Sequence, residues 1–212
     1  MQEILDTLKG LGVVPVVKIE RAEDAVSLGS ALLAGGLPCA EITFRTAAAE
    51  EAIRRISSNL PDIVLGAGTV LSVDQAERAA SAGAGFIVSP GFNPKVVDWC
   101  LARQIPVTPG VATPTEIEMA LDKGLTVLKF FPAEAMGGLK TLKAIAAPYG
   151  GVKFIPTGGI SLANLANYLA HPSVHCCGGS WLAEASLISA GKFDEITQLA
   201  QEAVSVVRQV RG

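Results

Sequence analysis

Lys129 stands inside the apolar run Leu125-Thr126-Val127-Leu128-Lys129-Phe130-Phe131-Pro132, and an amine placed there could do carbonyl chemistry. Lysine is almost never fully buried without a partner or a task. Taking an ammonium out of water favours its neutral form, and a neutral amine is a nucleophile toward carbonyls. The competing reading is a strand-end lysine whose stem packs while its head reaches water. Other polar residues in similar runs bear on the choice. Side chains alternate across a strand, so Cys39, Glu41, Thr43 and Arg45 share one face, as do Ala67 and Thr69, and Val127, Lys129 and Phe131. Val14, Val16 and Lys18 form a further such set. If the polar members point toward one axis, Glu41, Arg45, Thr69 and Lys129 converge on one cavity, with Lys18 as a further candidate. Taken singly, Glu41 and Arg45 could be an ion pair, Thr69 a helix cap and Lys18 an exposed strand-end lysine. A lone buried Glu41 costs on the order of several kcal/mol unless paired or protonated, so a cavity with partners explains the set at lower cost.

These side chains need a scaffold that brings distant segments to one place. Short apolar runs alternate with amphipathic stretches along the chain. Strands are predicted over 13–19, 39–44, 63–69, 86–90, 105–109, 126–131, 153–157 and 174–178. Helices with spacing near 3.6 are predicted between them, for example over 22–34, 74–82, 94–103 and 115–123. Ser72, Asn93, Thr113 and Ser161 stand where N-caps belong, and Gly35, Gly83 and Gly124 where helices end. Eight βα units of ~20–25 residues predict a (β/α)8 TIM barrel. Residues 2–10 form an extra N-terminal helix that caps its floor. No linker or composition break divides residues 1–212, so a single barrel domain is expected; an open doubly wound sheet is the alternative. Gly66-Ala67-Gly68-Thr69 lacks the third glycine of a dinucleotide fingerprint. In such a barrel, chemistry sits at the carboxyl ends of the strands, where each of the singled-out residues lies.

The ends of the last two strands suggest anion binding. Thr157-Gly158-Gly159-Ile160-Ser161 follows the seventh, and Gly178-Gly179-Ser180 the eighth. Glycines there let backbone amides approach a ligand, and a helix N-terminus adds partial positive charge. Plain tight turns are the alternative; two glycine pairs after neighbouring strands favour phosphate.

Composition narrows the classes further. Of 212 residues half are apolar and 17% charged, with net charge −3 and pI near 5.4. No basic run suggests nucleic acid, and no stretch nears the ~18 apolar residues of a membrane span. The acidic start Met1-Gln2-Glu3-Ile4-Leu5-Asp6 is unlike a signal peptide, so a cytoplasmic location is expected. Cys39, Cys100, Cys176 and Cys177 form no C-x-x-C pair and read as free thiols. His171 and His175 are the only histidines; they read as structural, and leave little material for metal or triad chemistry.

Together these segments resemble the 2-dehydro-3-deoxy-phosphogluconate aldolase family, whose members often also cleave 4-hydroxy-2-oxoglutarate. The resemblance is carried by Glu41-Ile42-Thr43-Phe44-Arg45-Thr46, Gly66-Ala67-Gly68-Thr69-Val70, Ser89-Pro90-Gly91, Lys129-Phe130-Phe131-Pro132-Ala133-Glu134, Pro156-Thr157-Gly158-Gly159-Ile160 and Gly178-Gly179-Ser180-Trp181. It runs in one register from about residue 4 to the C-terminus. It implies a class I lyase that needs no metal or cofactor, acts on a small keto acid, assembles as a homotrimer and serves the Entner-Doudoroff pathway. It implies a Schiff base on Lys129, proton transfer by Glu41, and recognition of the keto-acid carboxylate by Arg45 and Thr69. Pro90 and Phe131 would wall the pocket, Gly158, Gly159, Gly179 and Ser180 would cradle the substrate's phosphate, and Thr157 would be a further substrate-binding residue. It assigns no role to Lys18. The rival functions are a phosphate-binding barrel epimerase or isomerase, a metal-dependent aldolase, and a non-catalytic phosphometabolite-binding protein.

Overall fold

The computed structural model describes residues 1–212. Helix α1 (Gln2–Leu11) leads into strand β1 (Val13–Val17), followed by α2 (Ala25–Ala34), β2 (Cys39–Thr43), α3 (Ala49–Asn59) and β3 (Val64–Gly68). Next come α4 (Val73–Ser81), β4 (Phe86–Val88), α5 (Pro94–Ala102), β5 (Val107–Thr108), β6 (Gly110–Val111) and α6 (Pro114–Asp122). The chain continues through β7 (Val127–Phe130), α7 (Gly138–Ala146), β8 (Lys153–Pro156), α8 (Leu162–Leu169), β9 (Cys177–Gly179), α9 (Ala185–Ser189) and α10 (Phe193–Arg211).

All strand pairings are parallel. Every residue of β1, β2 and β7 is buried, as expected when a sheet is covered on both faces. The eight-stranded closed barrel predicted from the sequence is found as two curled sheets. One has six strands, in the order β5-β4-β3-β2-β1-β9, and the other three, in the order β6-β7-β8. The fifth predicted strand, 105–109, is found as β5, and the chain past Pro109 adds a further strand, β6. A proline nitrogen has no hydrogen to give a ladder, so Val107 and Thr108 pair with β4 while Gly110 and Val111 pair with β7. Between the β8 and β9 segments, pairing is reduced to isolated bridges at Phe154–Val174 and Thr157–Gly178.

The predicted strands also run one to three residues too far at several ends. Ile19, Phe44, Thr69, Pro90 and Phe131 continue the apolar alternation but lie beyond the ladders. They belong to the loops that turn away from the sheet.

The loops that lead into α4, α5, α6 and α8 are pinned by helix caps. Ser72 Oγ accepts from the Gln75 amide at 3.2 Å and Asn93 Oδ1 from the Lys95 amide at 3.0 Å. Thr113 and Glu116 form a reciprocal capping box, and Asn164 Oδ1 accepts from the Ser161 amide at 2.8 Å. Each such contact is worth ~1 kcal/mol. Each fixes where a helix begins, hence the length of the loop before it. At the end of α2 the left-handed position is Gly36 (φ 76°), one residue after the predicted Gly35.

Helix α1 closes the floor as expected. Leu8 is fully buried and reaches the sheet interior among Val14, Phe86, Val88 and Ile155. The other end of the chain ties in beside it: Arg211, at the end of α10, donates to the carbonyls of His175 (2.7 Å), Val174 (2.8 Å) and Lys9 (3.2 Å). With its floor plugged, the strand framework opens at the carboxyl ends.

Candidate active site

Lys129, on β7, is buried, with 5% of its surface exposed. Its ladder partners are Gly110 on β6 and Ile155 on β8. Lys129 Nζ lies 3.5 Å from Glu41 Oε1 and 5.2 Å from the centroid of the Phe131 ring, a cation–π distance. Glu41, on β2, is 4% exposed, and its Oε1 has no hydrogen-bond partner. A buried carboxylate oxygen left unpaired is costly, and such groups cluster where chemistry is done.

Glycine makes room for that carboxylate. Gly68 sits opposite Thr43 in the β2–β3 register. A Cβ on Gly68 would overlap Glu41 Oε1 and come within 2.7 Å of its Cδ and Cγ. The glycines of Gly66-Ala67-Gly68 thus serve packing: a Cβ on Gly66 would strike the Phe86 ring.

Above Lys129 opens a cavity of about 320 Å³, lined by Thr43, Arg45, Thr69, Pro90, Phe131, Thr157, Gly158, Gly159 and Ser180 among others. The structure therefore brings together Lys129, Arg45, Thr69, Pro90, Phe131, Thr157, Gly158, Gly159 and Ser180, as the sequence suggested. Glu41 lies lower. It shares with Lys129, Thr108 and Thr157 a small interior cavity of about 10 Å³ beneath the first. Lys129 touches both spaces, so the amine stands between the carboxylate and the opening.

Arg45 is exposed at the mouth, past the end of β2. Its Nε donates to Thr43 Oγ1 at 3.0 Å, and Thr43 Oγ1 donates in turn to the Val17 carbonyl at 2.7 Å. The hydroxyl of Thr43 thus orients the guanidinium, a role the alternation pattern alone did not single out. Thr69 has φ 56°, a backbone state uncommon outside glycine and often found at functional sites.

On the opposite rim, Gly158 (φ 99°) and Gly159 (φ 79°) make a left-handed turn that other residues adopt only with strain. The amides of Gly158, Gly159, Ile160 and Ser180 have no hydrogen-bond partner within the chain. The N-terminus of α8 follows at once, so four free donors and a helix dipole meet at one rim. Gly178 lines the cavity in place of the expected Gly179. Gly179 instead makes room for the Trp181 ring. Val16 and Ile160 are further lining residues without a chemical signature in the sequence.

Lys18 stands apart: it is exposed and paired with Glu20 at 2.6 Å. The other reactive residue types are also elsewhere. All four cysteines are free and buried. Burial pushes the Cys100 thiol up to about 11 and the Cys176 thiol up to about 12, away from thiolate chemistry at neutral pH. His175 is buried, which holds it below its usual value, and its Nε2 donates to the Leu5 carbonyl at 2.7 Å. No three His, Cys, Asp or Glu side chains gather in a metal-holding group.

A buried lysine beside an unpaired carboxylate, under a cavity rimmed by an arginine and free amides, is a site for carbon–carbon chemistry on an anionic carbonyl compound. Sequence comparison places the chain in the same class, that of the aldolases, which are lyases. Residues 4–199 match the family described as "Aldolase: KDPG and KHG aldolase", and the chain belongs to that family. It is 53% identical over 207 residues to the 2-dehydro-3-deoxy-phosphogluconate aldolase of Treponema pallidum (strain Nichols), covering 98% of this chain and 99% of the relative. It is 48% identical over 192 residues to the KHG/KDPG aldolase of Escherichia coli (strain K12), covering 91% and 90%. Among solved structures it is similar to the KDPG aldolase of Legionella pneumophila with pyruvate captured at low pH as a covalent carbinolamine intermediate. That match has a TM-score of 0.90 and 38% identity, and covers 94% of this chain and 97% of the other.

The fit between Gly68 and Glu41 has a measurable consequence. Gly68→Ala is expected to displace the carboxylate and, if Glu41 moves protons in the reaction, to lower kcat for aldol cleavage about 100-fold. The thermal melt should show a folded protein. A wild-type kcat would show that the position of this carboxylate does not matter.

Proposed function

We propose that residues 1–212 act as one domain, a class I aldolase that cleaves 2-dehydro-3-deoxy-6-phosphogluconate to pyruvate and glyceraldehyde 3-phosphate. The same site would cleave 4-hydroxy-2-oxoglutarate to pyruvate and glyoxylate. The observation that carries this reading is the buried Lys129 Nζ, 3.5 Å from Glu41 Oε1 at the floor of a cavity with cationic and amide donors at its mouth.

In this reading the uncharged Lys129 amine attacks the C2 ketone to give a carbinolamine. Loss of water forms an iminium, which draws electrons from the adjacent bonds. Arg45 holds the C1 carboxylate through charge-assisted hydrogen bonds, with Thr69 beside it. Glu41 takes the proton of the C4 hydroxyl through one water. The C3–C4 bond breaks, the aldehyde leaves, and its bonding pair becomes the enamine. Glu41 returns the proton to C3, and hydrolysis of the new iminium frees pyruvate and the amine. Pro90 and Phe131 wall the reacting carbons. The amides of Gly158, Gly159, Ile160 and Ser180 take the distal phosphate, with Thr157 and Gly178 beneath them. The carbinolamine captured in the Legionella pneumophila relative supports a covalent route. The two names carried by the Escherichia coli relative support both substrates.

Family membership also supports a homotrimer, a cytoplasmic location and a place in the Entner-Doudoroff pathway. Closure of the strands into a complete barrel is supported by the isolated bridges at Phe154–Val174 and Thr157–Gly178 and by the plug that Leu8 provides. No helix is long and apolar enough to cross a membrane.

The direct assay follows pyruvate release from each acid with a lactate dehydrogenase couple. Release from the phosphorylated acid is expected; none from either acid would overturn the reading. Arg45→Ala is expected to raise KM for both acids about 10- to 100-fold, as for loss of a charge-assisted pair, with a smaller fall in kcat. An unchanged KM would remove Arg45 from carboxylate recognition.

A further inference from the structure

The Gly158–Gly159 turn has no side chains with which to hold itself, yet the amides of Gly158, Gly159 and Ile160 must stay aligned with that of Ser180. Its shape is set by what its carbonyls are tied to. The Ala133 amide donates to the Thr157 carbonyl at 2.8 Å, and the Glu134 amide to the Gly158 carbonyl at 3.0 Å. Asn164 Nδ2 donates to the Gly159 carbonyl at 3.0 Å. Two of these three ties come from the segment that follows Lys129, so the position of that segment sets the position of the turn.

Glu134 anchors the segment. Its carboxylate Oε1 accepts a hydrogen bond from the Tyr168 phenol of α8. Its stem packs on the turn: a Cβ on Gly159 would come within 2.6 Å of Glu134 Cβ and Cγ. Room for the pair is kept by Gly138, whose added Cβ would meet Glu134 Oε1 at 2.9 Å and the Tyr168 hydroxyl at 3.2 Å. Tyr168 is buried to 1% exposure. Burial and the facing carboxylate push its phenol well above the usual value, so it stays a donor across the working pH range. The pair also does an electrostatic job. An unrestrained Glu134 carboxylate beside the amide rim would repel an incoming dianion; the bond to the phenol restrains it.

We propose that Glu134 and Tyr168 are positioning residues for the distal anion, acting through the Gly158–Gly159 turn to set the preference for a phosphorylated over an unphosphorylated substrate. The inference rests on the reading that the glycine turns hold the phosphate. Neither residue touches the reacting carbons, so the effect belongs in discrimination and not in the chemical step.

The test compares kcat/KM for 2-dehydro-3-deoxy-6-phosphogluconate and for 4-hydroxy-2-oxoglutarate in wild type and in Tyr168→Phe, which keeps the packed ring and loses the hydroxyl. The ratio of the two kcat/KM values is expected to fall about tenfold in Tyr168→Phe, through KM for the phosphorylated acid. Glu134→Ala should do the same, and Glu134→Gln, which still accepts from the phenol, should restore most of the ratio. Inorganic phosphate, as a competitive inhibitor of the phosphorylated acid, should lose affinity in parallel. A fall in both kcat/KM values with their ratio intact would reduce the pair to a structural tie and overturn the proposal, as would an unchanged ratio. If wild type itself shows no preference and no inhibition by phosphate, the phosphate reading of the turns fails first.

Discussion

Lys129→Ala is expected to abolish aldol cleavage, with kcat reduced by at least about 10⁴-fold. The nucleophile defines the route: without the amine there is no iminium to receive the electrons of the breaking bond. What remains would be the binding contributed by the rim, which positions substrate but supplies no electron sink. The substitution is structurally mild in one respect. It removes a buried polar head from an apolar strand and leaves Glu41 without its one ion-pair partner. A thermal melt alongside the assay checks that the variant is folded. Residual cleavage within about tenfold of wild type, in a folded variant, would end the lysine route.

Glu41→Gln should behave differently. The amide nearly matches the carboxylate in shape and fits the space left by Gly68, but it cannot accept the C4 hydroxyl proton or return one to C3. A loss of about 10²–10⁴ in kcat is expected, the usual range for general acid–base catalysis. Covalent capture of pyruvate at Lys129 should persist, because attack and dehydration leave the nucleophile in place. The deuterium wash-in at C3 of bound pyruvate, followed by NMR, isolates the proton step and should slow with kcat. Wild-type exchange in this variant would move the acid–base role to another group.

The chain announced some of this plainly. A lysine among Val127, Leu128, Phe130 and Phe131 is a physical anomaly, and alternation along the strands assigned Glu41 and Thr69 to the same side without any structure. The strand-end location of Arg45, Pro90 and the glycine pairs placed them at one face, and the structure gathers them around one cavity. Other features depend on relations that no local pattern carries. Pro109 reads as the end of a strand, and only the ladder shows that it divides two sheets. The level of Glu41, below the cavity mouth, depends on the missing Cβ of Gly68 on a neighbouring strand. Gly178 and Gly179 are indistinguishable as sequence; the ring of Trp181 decides which one lines the cavity. The tie between Glu134 and Tyr168 spans 34 residues, so neither residue flags the other. The Thr43 hydroxyl was visible as a member of the right face, but its service to Arg45 needs the Val17 carbonyl of the adjacent strand. Local chemistry was therefore legible, and long-range geometry was not.

Covalent capture tests the central claim most directly. Wild-type protein incubated with pyruvate and sodium borohydride, then digested and mapped by mass spectrometry, should carry one reduced adduct, with the mass of pyruvic acid less one oxygen, on the peptide containing Lys129. The same treatment of Lys129→Ala should leave no adduct. An adduct on a different lysine, or none in protein that actively cleaves the acid, would contradict the account.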